Sequence, residues 1–198
     1  MPAIMDEKLV DLINPWSDGE QAFLGLVRRA MEEYFGGDGR RIAHAHAVAS
    51  YARELLAYIE ADPVLTMTVA YLHDIGIHEA ERRHGSNAGN FQELEGPPIA
   101  RRLLEELQAP GALVERAVAI VGLHHTSKGV DAAEFRILWD ADALVNFAES
   151  LPGKPQAEIE PILLRHMATE PGYRAARRLF LNDAELRVSP PPKDDFPG

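Results

Sequence analysis

The sequence predicts an all-α helical bundle. Apolar residues recur at helical spacing along most of the chain, and no convincing pair of alternating strands is present. Clusters of Gly and Pro separate the periodic stretches. With 198 residues, 46% of them hydrophobic, the chain is long enough for one real core with a small appendage.

Residues 4–14 read as a short helix that stops at Asn14-Pro15. Ser17 is a good N-cap with Glu20 three residues on, the pattern of a capping box. The helix it opens carries Phe23, Leu24, Leu26, Val27, Met31, Tyr34 and Phe35 and breaks at Gly36-Gly37-Asp38-Gly39. Arg40 to Ile59 is the next helix. Asp62-Pro63 begins another, with Pro63 in its first turn, running through Leu65, Met67, Val69 and Leu72 to Asp74 and stopping near Gly76. From 77 to 96 the pattern lapses into polar and flexible residues, and the stretch reads as one long loop. Pro97-Pro98 starts a helix through Ile99, Leu103, Leu104 and Leu107, and Ala109-Pro110-Gly111 turns the chain into a helix from Ala112 to His125. After the short loop Thr126-Ser127-Lys128-Gly129, Phe135 to Ser150 is strongly apolar, and Leu151 to Pro155 ends it. Residues 156–182 read as one or two helices interrupted near Pro171-Gly172. The expected organisation is N-terminal helices over 1–39, a core over 40–150, C-terminal helices over 151–185, and a flexible tail over 186–198.

Charge narrows the partners. The chain carries a net charge of −11, with no Lys/Arg run longer than a pair. That disfavours duplex nucleic acid and anionic membranes, but not one small phosphorylated ligand held by a few local cations. There is no cysteine, so any metal must be held by nitrogen and oxygen, which suits Mn, Fe, Co, Ni, Zn or Mg. The N-terminus lacks a signal-peptide pattern, and no apolar stretch approaches ~18 residues, so the expected location is the cytoplasm.

The stretch Leu72-His73-Asp74-Ile75-Gly76 places an imidazole beside a carboxylate at the end of an apolar run. Both are costly to bury unsatisfied, and one bound cation would satisfy both. At about 100° per residue, His44 shares the apolar face of its helix with Val48, Tyr51, Leu55 and Ile59, whereas His46 lies roughly opposite with Arg53 and Glu60. The helix carrying Asp140 and Asp142 is apolar nearly all round, so neither is obviously exposed; Asn146 one turn beyond favours Asp142 as the site residue. His125 follows the stripe of Val114, Val118 and Val121, and His124 is offset toward Ala117 and Ile120. Both histidines close a helix, where the dipole favours an imidazolium.

In this order, His44, then His73-Asp74, then Asp142, the sequence resembles the HD-domain superfamily of metal-dependent phosphohydrolases. Ala70 to Gly76 resembles the central "LLHDIG" motif of that superfamily, and Ala141-Asp142-Ala143-Leu144 its final "AD.L" motif. Arg41-x-x-His44 resembles the first-histidine helix, while Ile99-Ala100-Arg101-x-Leu103-Leu104 and Val121-x-x-His124-His125 resemble the middle helices. The resemblance spans roughly residues 40–150. It implies an all-α HD-domain-like bundle with one or two divalent metals, and His44, His73, Asp74 and Asp142 as ligands of the first. Asp74 would also orient or deprotonate the attacking water. His84 or Glu95, with His124 and His125, would serve a second metal or the substrate. Arg41 and Lys128 are candidate phosphate contacts, Arg82 or Arg83 would reach in from the loop, and Asn146 would bond substrate or a nearby water. Ile77, followed by His78, stands where many members have Lys after "HDIG", which removes one possible phosphate contact.

The activity implied is hydrolysis of a phosphomonoester or phosphodiester in a small phosphorylated molecule such as a nucleotide. The alternatives are a di-iron oxygenase on the same scaffold and a non-catalytic metal-binding sensor. No duplex or membrane partner is expected, and a homodimer is left open.

Overall fold

The computed structural model describes residues 16–126 and 130–181, and the architecture is all-α, with nine helices and no strand among the described residues. They are α1 (Asp18–Phe35), α2 (Gly39–Leu55), α3 (Pro63–Leu72), α4 (Ile77–His84), α5 (Gly89–Glu106), α6 (Gly111–Val121), α7 (Ala133–Ser150), α8 (Gln156–His166) and α9 (Glu170–Phe180). No described helix is long and apolar enough to cross a membrane. The helix expected over 4–14, the tail from 186 onward and Lys128 lie outside the described residues.

Local chemistry sets the helix starts. Ser17 and Glu20 form the reciprocal capping box of α1. Asp38 accepts from Arg41 N to open α2, and Asp62 accepts from Leu65 N to open α3. The interior of α3 is buried nearly all round, and α1, α2, α6 and α7 pack against it. Its Thr66 hydroxyl donates to Asp62 O at 2.8 Å, which removes the cost of an unpaired polar group.

α3 ends earlier than its apolar pattern suggests, at Leu72. The chain then tightens: Ile75 N donates to Leu72 O at 3.1 Å and Ile77 N to Asp74 O at 3.0 Å. His73 and Asp74 thus sit in a compact turn between α3 and α4, not on a continuing helix.

The segment 77–96 is not a long loop. It folds into α4 and the first two turns of α5, joined through Gly85 with φ 64°. Only Ile77 and Ala80 of α4 are buried, so it has almost no apolar stripe. Its cohesion comes from Glu79, which pairs with Arg82 and Arg83 one turn on. Pro97 and Pro98 lie inside α5 instead of starting it. The turns before them are held from outside: Glu93 accepts from His125 N at 2.9 Å and from the Thr126 hydroxyl at 3.1 Å. Gly76 and Gly96 let α5 cross the turn at backbone distance, since a Cβ on Gly76 would meet Gly96 N at 2.5 Å.

α6 likewise stops at Val121, so His124 and His125 occupy a turn beyond it and helical phase cannot be extended to them. Near the C-terminus the break between helices falls at Met167 to Thr169, before Pro171-Gly172. Pro171 belongs to the first turn of α9, where its missing N–H costs nothing, and Thr169 caps Gly172 N. α7 contributes Phe135 to Ala141 to the main core and Leu144 and Phe147 to a second core formed with α8 and α9.

Candidate metal centre

Three elements bring the first group of donors together. His73, 1% exposed, donates from Nδ1 to Ala70 O at 3.0 Å. That hydrogen bond fixes its tautomer and leaves Nε2 with a free lone pair facing inward. From α2, His44 Nε2 reaches within 3.2 Å of His73 Nε2. From α7, Asp142 Oδ1 stands 3.1 Å from His44 Nε2 and 3.7 Å from His73 Nε2. Asp74 Oδ2 is 3.6 Å from His44 Nε2 and 3.7 Å from His73 Nε2. Asn146 donates to the other Asp142 oxygen at 2.9 Å, which turns Oδ1 toward the imidazoles.

With both imidazoles neutral, as metal ligation requires, this cluster lacks protons. The single Nε2 proton that neutral His44 can carry must serve His73 Nε2 and two carboxylate oxygens. A cation reached by His44, His73 and Asp74, with Asp142 Oδ1 beside His44, would relieve this shortage, so the residues present fit a divalent metal with nitrogen and oxygen ligands. The electrostatics report the same excess of negative charge, which draws a proton to His73 where no cation takes its place. Burial opposes the charged form of His73, but Asp74 and Asp142 overcome it and raise its pKa from 6.5 to about 9. Burial likewise opposes ionisation of Asp74 and Asp142, and the neighbouring imidazoles outweigh it and hold both carboxyls well below their ordinary range.

Asp74 also belongs to a second group, with His124 and His125. His124 repeats the local pattern of His73: Nδ1 donates to Val121 O at 2.7 Å, and Nε2 faces Asp74 Oδ1 at 3.4 Å. His124 is the buried member of the pair, whereas the helical stripe pointed to His125. The pKa of His125 is lowered, first by partial burial and then by the charge of His124.

The centre opens into a cavity of about 400 Å³ bordered by His44, Asp74, Asp142, His125, Arg41 and Asn146, a volume suited to a small organic ligand. The remaining sequence candidates fall elsewhere. Arg82 and Arg83 are held by Glu79 and do not border the cavity. His84 and Glu95 bond each other at 2.9 Å, with Arg83 3.3 Å from Glu95 and the His84 ring stacked on Phe91, and they join neither donor group. His46, expected in solvent, bonds Glu32 at 2.8 Å. Asp140 is fully buried, and its oxygens accept from Ala168 N and from Thr169 N and Oγ1, so it anchors the start of α9 and not the centre. Sequence reasoning passed over Arg40, Asn87 and Gln92, which also border the cavity. Asn87 and Gln92 lay in the supposed loop; a helix starting at Gly89 would have exposed Gln92 as its first buried polar position.

The fold and the donor set define a helical protein built around a cluster of nitrogen and oxygen donors that could hold a metal. The family model for the HD domain matches residues 41–147, more than half of the chain, and the chain belongs to the HD-domain family. HD domains bind divalent metals, and the family is one of metal-dependent hydrolases. Neither a curated protein nor a solved structure matches the chain.

Proposed function

We propose that this chain is a metal-dependent phosphohydrolase acting on a small phosphorylated molecule, with a nucleotide as the leading class. The observation that supports it most is the juxtaposition of the His44, His73 and Asp74 donor group, with Asp142 3.1 Å from His44, and a cavity bordered by Arg40 and Arg41. A divalent cation held by His44, His73, Asp74 and Asp142 would polarise a phosphoryl oxygen and lower the pKa of a bound water. Arg41, half-buried and 3.4 Å from Glu81, is placed to meet a phosphate oxygen. Asp74 remains ionised and would orient the attacking water. Asn146 keeps Asp142 oriented. The cavity has room for a sugar or nucleoside beyond the phosphate.

Asp74→Ala tests this reading. Turnover of nucleoside monophosphates and p-nitrophenyl phosphate, assayed across a metal panel, should fall by at least about a thousandfold. The far-UV circular dichroism should be unchanged. Equal turnover in the variant at matched metal content would refute the assignment.

The sharing of Asp74 by two donor groups favours one other reading, an oxygen-activating di-iron centre. Two irons per chain after anaerobic purification, with oxygen consumed during turnover, would select it.

A further inference from the structure

Gln92, on α5, is 6% exposed and borders the cavity together with Asp74 and His125. Its amide nitrogen donates to Asn87 O at 2.7 Å, so the amide is oriented and its nitrogen side is taken. Oε1 is buried and accepts no hydrogen bond. An unpaired buried carbonyl oxygen is unfavourable, and a ligand hydroxyl or N–H would relieve it.

The side chain stands on a fixed wall. The backbone oxygen of Gln92 lies 2.6 Å from where a Cβ on Gly76 would stand, so this turn of α5 presses on the chain just after Asp74. Gly89, one turn earlier, faces the His125 ring so closely that a Cβ there would come within 2.7 Å.

Chemistry narrows the partner that Oε1 lacks. The phosphoryl oxygens of a monoester dianion carry no hydrogen and are repelled by a carbonyl oxygen, so the partner belongs to the organic part of the ester. The cations of the cavity, Arg40 and Arg41, come from α2 and not from α5. The cavity also offers the side-chain amides of Asn87 and Asn146, and no Phe, Tyr or Trp side chain among the described residues lines it. A nucleobase finds no such ring to stack on. A sugar meets amides with hydroxyls, each both donor and acceptor.

We infer that Gln92 reads the organic part of the substrate: Oε1 accepts a hydrogen bond from a sugar hydroxyl, and the site selects phosphate esters by their sugar and not by a base. This deepens the phosphohydrolase reading and rests on it. An ester without the hydroxyl leaves Oε1 unpaired in the complex, and a site built to bond a hydroxyl rejects the analogue that lacks it.

The test compares methyl ribofuranoside 5-phosphate with tetrahydrofurfuryl phosphate, the same ether ring stripped of its hydroxyls, by kcat/KM in the metal-loaded wild type. The hydroxylated ester should be favoured by about ten- to a hundredfold. Gln92→Met, similar in length but without the carbonyl oxygen, should lose that preference by slowing the hydroxylated ester alone. Equal kcat/KM for the two esters in the wild type overturns the inference and leaves the phosphohydrolase reading standing, as does a preference that Gln92→Met retains. If Gln92→Met does not fold, Gln92→Glu decides: it keeps an acceptor oxygen at this position, so loss of the preference overturns the inference. No hydrolysis of either ester or of p-nitrophenyl phosphate with any metal overturns the phosphohydrolase reading, and this inference with it.

Discussion

A histidine commits to a metal through the nitrogen that does not bind it. His73 and His124 each tie Nδ1 to the carbonyl three residues back, so their Nε2 lone pairs are aimed before any ion arrives. Asn146 does the same for a carboxylate. It is exposed and would look dispensable, yet its amide holds Asp142 Oδ2 and leaves Oδ1 for His44. Asn146→Ala should therefore weaken metal binding by about tenfold, measured by isothermal titration, with the helical content intact. An unchanged metal affinity with a raised KM would show that Asn146 contacts substrate instead. The choice of Asp142 over Asp140 rested on this same i, i+4 pairing, because two polar groups on one spot of an apolar helix report a shared task. The backbone-locked tautomers were not legible, because they depend on tight turns that helical phase does not describe.

Where elements meet, the sequence was harder to read. The helices with apolar stripes, α1, α2, α3, α6 and α7, were visible in periodicity. α4 and the start of α5 were not, because ion pairs and a glycine crossing hold them in place of a stripe. That crossing is testable. In Gly76→Ala the new methyl would meet the backbone of Gly96 and Gln92, which cannot swing aside as a side chain would. The expected loss is about 1–3 kcal/mol or more by urea unfolding, with weaker metal binding because Asp74 lies on the same turn. A second junction depends on Asp140, which couples α7 to α9. Burial pushes its carboxyl up to about 7, against the hydrogen bonds from Thr169 and Ala168 that favour the ionised form. A folded-state pKa above the unfolded 3.8 means the contribution is full below about 4 and lost as pH rises through about 7. The stability of wild type relative to Asp140→Asn should therefore decline between pH 4 and pH 7 and level off above. A flat difference across that window would refute the assignment.

The candidate metal centre belongs to the whole bundle. Its donors come from α2, from the turn after α3, from the turn after α6 and from α7, so their convergence requires all four to be docked. The order of these residues along the chain was legible and pointed to the family. The cavity above them was not, since its wall includes residues of α5 that the polar stretch concealed. A ligand site assembled this way couples metal binding to global folding. At a free metal concentration of 100 times Kd, mass action adds about 2.7 kcal/mol to the folded state. For a domain of this size that corresponds to a rise in Tm of roughly 5–10 °C, reversed by a chelator. Asp74→Ala should show little of it, because both donor groups lose a member. α7 runs through both cores, so differential scanning calorimetry should show one transition that moves as a unit. A second transition indifferent to metal would mean that α8 and α9 unfold on their own, and that Asp140 does not carry the coupling between the two cores.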